Sequence, residues 1–161
     1  MLSQFSGAVF DKDRNYRFLL WRFWNDSPRV LFVGLNPSTA DEYSDDPTLK
    51  RCCTFAENWG YGGMYLCNLF SFRATKPEDL IVAGAGVLHA ANIPAITMAT
   101  RLVVMTIAAW GDGLELVENG KGIAENIKKL IEPSLCFGLT QKGNPKHLLY
   151  LSGESKLVDY K

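Results

Sequence analysis

Three short polar segments interrupt the apolar runs of this chain, and each carries side chains able to do chemistry: Asn36-Pro37-Ser38-Thr39, the surroundings of Asn68, and Gly143-Asn144-Pro145-Lys146-His147. An amide such as Asn36 is a weak base, yet it can position a water while fixed dipoles stabilise the charge that develops. The bland alternative is a turn residue that satisfies its own backbone, a common use of Asn-Pro. Asn68 offers one acceptor and two donors, which suits the edge of a heterocyclic base or, equally, the tying together of two strands. His147 can donate a hydrogen bond to an anion at neutral pH, or stand beside Lys146 as an ordinary surface residue.

Further candidates surround these three. Tyr43, a few residues beyond Asn36, has an aromatic face on which a base can stack, a contact worth about 1–3 kcal/mol. Phe70 and Trp110 are rival stackers for which core packing is the stronger expectation. Asp45 or Asp46 can activate water if it faces a pocket, although helix capping explains Asp46 without catalysis. Arg51 and Arg73 have the forked donors that grip phosphate, or they pair with nearby acids. Lys142 and Lys146 form the most concentrated basic loop and are the candidates for backbone contact. His89 reads as a boundary histidine rather than a ligand.

Composition limits what these residues can serve. In 161 residues, seventeen basic and seventeen acidic side chains cancel, so the chain lacks the broad positive field that drives non-specific binding to phosphate backbones, and any nucleic-acid contact is local. Cys52, Cys53, Cys67 and Cys136 have no CxxC pair and no ordered histidine partners, so we expect reduced thiols, no metal and no cofactor. No apolar run reaches membrane-spanning length, and the first residues lack the basic-then-apolar order of a signal peptide, so a cytoplasmic protein without a membrane partner is expected.

The elements that must position the candidates are legible from patterning. SGAVF and YRFLLWRFW, separated by the turn-rich DKDRN, read as an antiparallel hairpin. Apolar runs at about 29–35, 64–70, 102–109 and 134–139 suit strands buried on both faces of a parallel sheet. Asp46-Pro47 opens a helix that Gly60 stops, Leu114 to Glu132 reads as a helical stretch weakened by two glycines, and KHLLYLS reads as an extended segment. The expectation is one α/β domain over residues 1–161, a three-layer α/β/α sandwich with a mainly parallel central sheet and an N-terminal antiparallel hairpin. Its ligand crevice lies at the carboxyl ends of the strands, where the three polar segments converge.

VLFVGLNPS resembles the first motif of the mismatch-specific and thymine-type uracil-DNA glycosylases, with Ser38 in place of a final glycine. MYLCNLFSFRATKPEDL is similar to that superfamily's next strand, with Asn68 at its base-reading asparagine. GNPKHLLYL is similar to its late loop, with His147 at the histidine and Leu148 where proline is usual. The chain also resembles, over nearly its whole length, an uncharacterised family of bacterial and phage proteins with NPSTA, DDPT, WGYGG, NLF and GxPxHPLYL signatures. The first resemblance implies a metal-independent hydrolase of the N-glycosidic bond acting on a pyrimidine or modified base. It implies Asn36 and His147 as catalytic residues and Asn68 at the base; together with the residues read above, Tyr43 and Pro37 are expected at the base, and Lys142, Lys146, Arg73 and Ser38 at the nucleic-acid backbone. A free nucleotide or nucleoside substrate, and a non-catalytic nucleotide or nucleic-acid sensor, are the rival readings.

Overall fold

The computed structural model describes residues 4–84 and 88–161; residues 1–3 and 85–87 of the expected domain lie outside it. One seven-stranded sheet takes its strands from nearly the whole chain. They are β1 (Phe5–Phe10), β2 (Arg17–Phe23), β3 (Arg29–Gly34), β4 (Gly63–Asn68), β5 (Met105–Ala108), β6 (Leu135–Cys136) and β7 (Val158–Asp159). Their order across the sheet is β1-β2-β4-β3-β5-β6-β7. The four inner strands β4, β3, β5 and β6 run parallel, as their unbroken apolar character requires. The β1–β2 hairpin joins antiparallel through β2 to β4, and β7 closes the far edge antiparallel to β6. The result is a mixed α/β sheet, antiparallel at its N-terminal edge and parallel in its centre.

Helix α1 (Pro47–Asn58) begins where its sequence says it must. Asp46 is in extended conformation and its Oδ1 accepts the Leu49 amide at 2.8 Å, while Pro47 occupies a position whose amide no helix partner needs. Three further helices follow, α2 (Pro77–Ala83), α3 (Asn92–Thr100) and α4 (Gly120–Leu130). The buried apolar residues fall into two clusters. One gathers Leu49, Cys52, Phe55 and Ala56 of α1 against Val30, Phe32, Met64, Leu66 and Ile107. The other gathers Leu80, Ile96, Ala99, Ala124 and Ile127 of the remaining helices against Leu31, Val33, Cys67 and Ala108.

The differences from expectation have local causes. The helix expected from Leu114 to Glu132 is broken into a 3-10 turn at Leu114–Leu116 and α4, with Asn119 left-handed between them. A side chain at Gly120 would sit 2.0 Å from the Leu114 carbonyl oxygen, so the chain can only double back there on glycine. KHLLYLS forms no strand: it turns, and anchors through buried Leu148. The third inner strand is shorter than 102–109, because Arg101 and Leu102 still belong to the turn that ends α3. The pairing of Val158 and Asp159 with β6 was not anticipated.

All four cysteines are free thiols, and burial pushes Cys67 and Cys53 up to about 12 and Cys52 well above its ordinary value. No helix among the described residues is long and apolar enough to cross a membrane. Two outcomes are expected. At pH 7.5 the native protein takes up iodoacetamide at Cys52, Cys53 and Cys67 far more slowly than the urea-unfolded chain, by mass spectrometry. Asp46→Ala lowers the urea-unfolding free energy by about 1 kcal/mol, whereas Asp46→Asn, still a good cap, lowers it by much less.

Candidate functional site

Strand β3 lies between two parallel neighbours reached by diverging routes. The chain passes from β3 to β4 through α1, which packs with the core containing Val30 and Phe32. It passes from β4 to β5 through α2 and α3, which pack with the core containing Leu31 and Val33. Successive residues of a strand point to opposite faces, so the two crossovers leave in opposite directions. Such a divergence opens a crevice at the carboxyl end of the strand. A cavity of about 250 Å³ lies there, lined by residues of all three polar segments, among them Asn36, Ser38, Asn68 and His147.

Parallel pairing sets Gly34 directly beside Asn68. A Cβ on Gly34 would be 2.9 Å from Asn68 Nδ2, so a side chain there would push the amide aside. Beyond Gly34 the ladder continues irregularly, the amides of Leu69 and Phe70 donating to the carbonyls of Gly34 and Leu35. Asn36 then donates both amide hydrogens, to the carbonyls of Pro37 and Ala74, each at 2.9 Å. Its donors are spent on the turn, and its Oδ1 is the part of the side chain left for a ligand or water.

Asn68 is almost fully buried, and its Oδ1 accepts from Nη2 of Arg17 at 3.2 Å. Arg17 donates through Nη1 to the Ala40 carbonyl at 3.0 Å, its Nε has no partner, and it makes no ion pair among the described residues. Burial lowers its pKa to about 10, with Arg73 adding repulsion and Asp46 opposing both. Trp110, also buried, lines the same cavity, and its indole N–H, itself shut off from solvent, has no partner. Asp46 lines it too, with one oxygen committed to capping α1.

The His147 loop is tied to the end of β5. Gly111, with φ +66°, donates its amide to Pro145 and lies so close to His147 that a Cβ would be 3.0 Å from that of the histidine. Asp112 holds the loop through Oδ1, which accepts from Thr140 Oγ1 and Asn144 Nδ2, both at 2.8 Å; these bonds keep its carboxyl below the usual range. At the rim, His147 Nδ1 accepts the Leu149 amide at 3.1 Å, so the neutral ring carries its proton on Nε2. Loss of water around the ring lowers its pKa, and Asp46 partly offsets this.

Other residues singled out from sequence stand elsewhere. Tyr43 is 91% exposed and borders a separate groove with Arg22, Glu42 and Asp45, so it does not face the cavity; Trp110 is the aromatic side chain that does. Pro37 is buried behind the turn, its carbonyl bonded to Asn36 Nδ2 and the Ala74 amide. Arg73 donates to the Ser38 carbonyl at 3.2 Å and lies over Phe10, at the edge of a neighbouring hollow that Ser38 shares. Lys142 pairs with Glu115 at 2.9 Å, while Lys146 is exposed on the same loop. Asp45 pairs with Arg22 at 2.8 Å, Arg51 donates to the Leu151 carbonyl, and His89 packs against Tyr16 and Phe18. Phe70 is fully buried in the core. No cluster of three His, Cys, Asp or Glu side chains suited to a metal occurs among the described residues.

One residue of the site escapes a reading by motif. Arg17 hides in an apolar strand whose only clue is a charge where a buried side chain belongs. Asp46, read from sequence as a helix cap or a water-activating carboxylate, both caps α1 and lines the cavity.

The chain belongs to the family described as "Protein of unknown function (DUF1643)", whose match covers residues 17–149 and so takes in Arg17, the three polar segments and His147. No curated protein matches the chain. No solved structure matches it either. None of these comparisons links it to the uracil-DNA glycosylases.

The geometry fixes the sign of a pH effect. Because the folded state lowers the pKa of His147, the unfolded chain binds more protons just below its ordinary value of about 6.5. The contribution of neutral His147 to stability is therefore complete above about pH 6.5 and is lost as pH falls through the folded value. In an NMR titration His147 is expected to show a midpoint below 6.5 and the Nε2-protonated tautomer, and Asp46→Asn is expected to lower that midpoint further. A midpoint unmoved in Asp46→Asn would separate the two residues electrostatically.

Proposed function

We propose that the chain is a cytoplasmic, metal-independent hydrolase of the N-glycosidic bond, acting on a pyrimidine or modified base in nucleic acid. The supporting observation is that Asn36, Asn68 and His147, far apart in sequence, line one cavity at the switch point of the sheet. We read the two cores as the two interfaces of a three-layer sandwich, with the cavity at one end. At about 250 Å³ the cavity is smaller than pockets for drug-sized molecules and suits one base with part of its sugar.

In this reading the base is extruded from its stack and enters between Leu35, Leu66 and Trp110, with its edge toward Asn68. Asn36 Oδ1, its orientation locked by the two amide hydrogen bonds, accepts from a water and holds it against the anomeric carbon. The C–N bond breaks with its electron pair on the base, the water oxygen bonds to the carbon, and a water proton is released. His147 Nε2–H and the donors of the cavity stabilise the charge on the departing base. Asn36→Ala is expected to lower base release from uracil-containing or modified-pyrimidine oligonucleotides by about 10²–10³-fold, as for loss of one positioned polar group, with the thermal melt still cooperative. An unchanged rate would remove Asn36 from the mechanism.

A specific observation favours a second reading, in which the substrate is a free nucleoside or nucleotide. Lys142, one of the two lysines of the His147 loop, is paired with Glu115 at 2.9 Å, which leaves Lys146, among the described residues, as that loop's unopposed cation and makes a long basic track for a phosphate backbone unnecessary to the site. The two readings separate by salt. Affinity for a single-stranded oligonucleotide falls steeply between about 50 and 200 mM salt if several phosphates are held, whereas affinity for a nucleoside hardly changes.

A further inference from the structure

Asn68 is the residue that faces a base in the proposed function, and its chemistry there is decided by a neighbour. An amide can be turned to present either its oxygen or its nitrogen. Here Arg17 Nη2 donates to Oδ1, so the oxygen is bound inward and Nδ2 is the end beside Gly34. Flipping the amide would set its NH₂ against a guanidinium, donor against donor, in a buried place. The orientation of Asn68 is therefore fixed, with Nδ2 as its free donor.

Arg17 itself is unfinished. Of its five N–H bonds, two are accounted for, by Ala40 and Asn68, and buried Nε has none. It lines the cavity without a carboxylate in contact. The other buried charge on the cavity wall, Asp46, is in a different position: one oxygen is held by the Leu49 amide, and the positive end of α1 faces it. A buried cation with spare donors, beside an amide turned to donate, is arranged for acceptor oxygen that carries negative charge.

We propose that Arg17 and Asn68 form a receptor that takes an oxo-substituted heterocycle in its ionised form, the ring having lost its imide proton, with the charged oxygen at Arg17. The proposal rests on the reading of this cavity as a base site and specifies what the site prefers: oxygen over amino groups, and charge over neutrality. Arg17 acts both by receiving the charge and by fixing Asn68.

The test is calorimetry of the whole protein at pH 7.5 with uracil, 5-bromouracil and 5-nitrouracil, whose ring N–H acidity rises in that order. In the wild type, affinity is expected to rise along the series, the ionised 5-nitrouracil binding about ten- to a hundredfold tighter than uracil. Asn68→Asp is expected to fold at least as well as the wild type, because it supplies the carboxylate that Arg17 lacks, and to lose this preference. Arg17→Met is expected to flatten the series. Inorganic phosphate, the rival oxyanion, is expected not to displace 5-nitrouracil. A flat series in the wild type, a preference kept in Asn68→Asp, or displacement by phosphate at comparable concentration would each overturn the proposal. Base release is measured separately: a rising series with no release from any substrate supports the receptor and overturns only the hydrolase reading.

Discussion

A strand hydrogen-bonded on both sides has no freedom over where its last residue points, and β3 is such a strand. Its registers with β4 and β5 fix Gly34 beside Asn68 and carry Val33 to the start of the turn that holds Asn36. Everything at the site is measured from that strand end. The Asn36 amide is pinned to it by the Ala74 carbonyl, the Ala109 amide donates to the Val33 carbonyl, and the Gly111 amide reaches the Pro145 carbonyl of the His147 loop. The strand end itself is held firmly, because moving its backbone requires breaking ladder bonds of the central sheet.

The cavity contrasts with an apolar hollow of the molecule. A hollow of about 330 Å³ beside α3 is lined mainly by Leu69, Ile93, Ile123 and Ile127, with few groups to orient a ligand. The cavity at the end of β3 holds instead a cation, two carboxylates, two amides, an indole N–H and an imidazole. Four of these side chains, Arg17, Asp46, Asn68 and Trp110, are buried, which opposes folding unless their polar groups are satisfied. The structure satisfies Asn36 and half of Asn68 through its own chain, and leaves Arg17 and Trp110 with donors to spare. Two of the six buried polar atoms left without a partner among the described residues, on Arg17 and Trp110, belong to side chains of this cavity.

Patterning made the architecture legible because parallel strands buried on both faces leave an unbroken apolar signature, as RVLFVG and GMYLCN do, and because Asp46-Pro47 is a helix start with a mechanism behind it. Convergence of the polar segments followed from topology, since parallel strands place all their carboxyl ends on one side. What stayed hidden was decided by packing rather than by pattern. Arg17 looks out of place in an aromatic strand until the cavity beneath it is known. Tyr43, near Asn36 along the chain, is carried away from the cavity by the turn in which Asp41 Oδ1 accepts the Tyr43 and Ser44 amides. The two-residue β7 is too short for any period to announce it, and the break before α4 turns on a contact between Gly120 and Leu114 that only the folded chain makes.

The central claim, that the end of β3 is a receptor for a single base, is tested most directly by following side-chain N–H signals in a ¹⁵N NMR spectrum as uracil or 5-nitrouracil is added. The Asn68 side-chain amide and the Trp110 indole are expected to shift together and saturably, while the Asn36 amide hydrogens, already bonded to carbonyls, move less. Shifts confined to residues around Ile93 and Ile127, or to residues 153–157, with Asn68 and Trp110 unmoved, would contradict the claim.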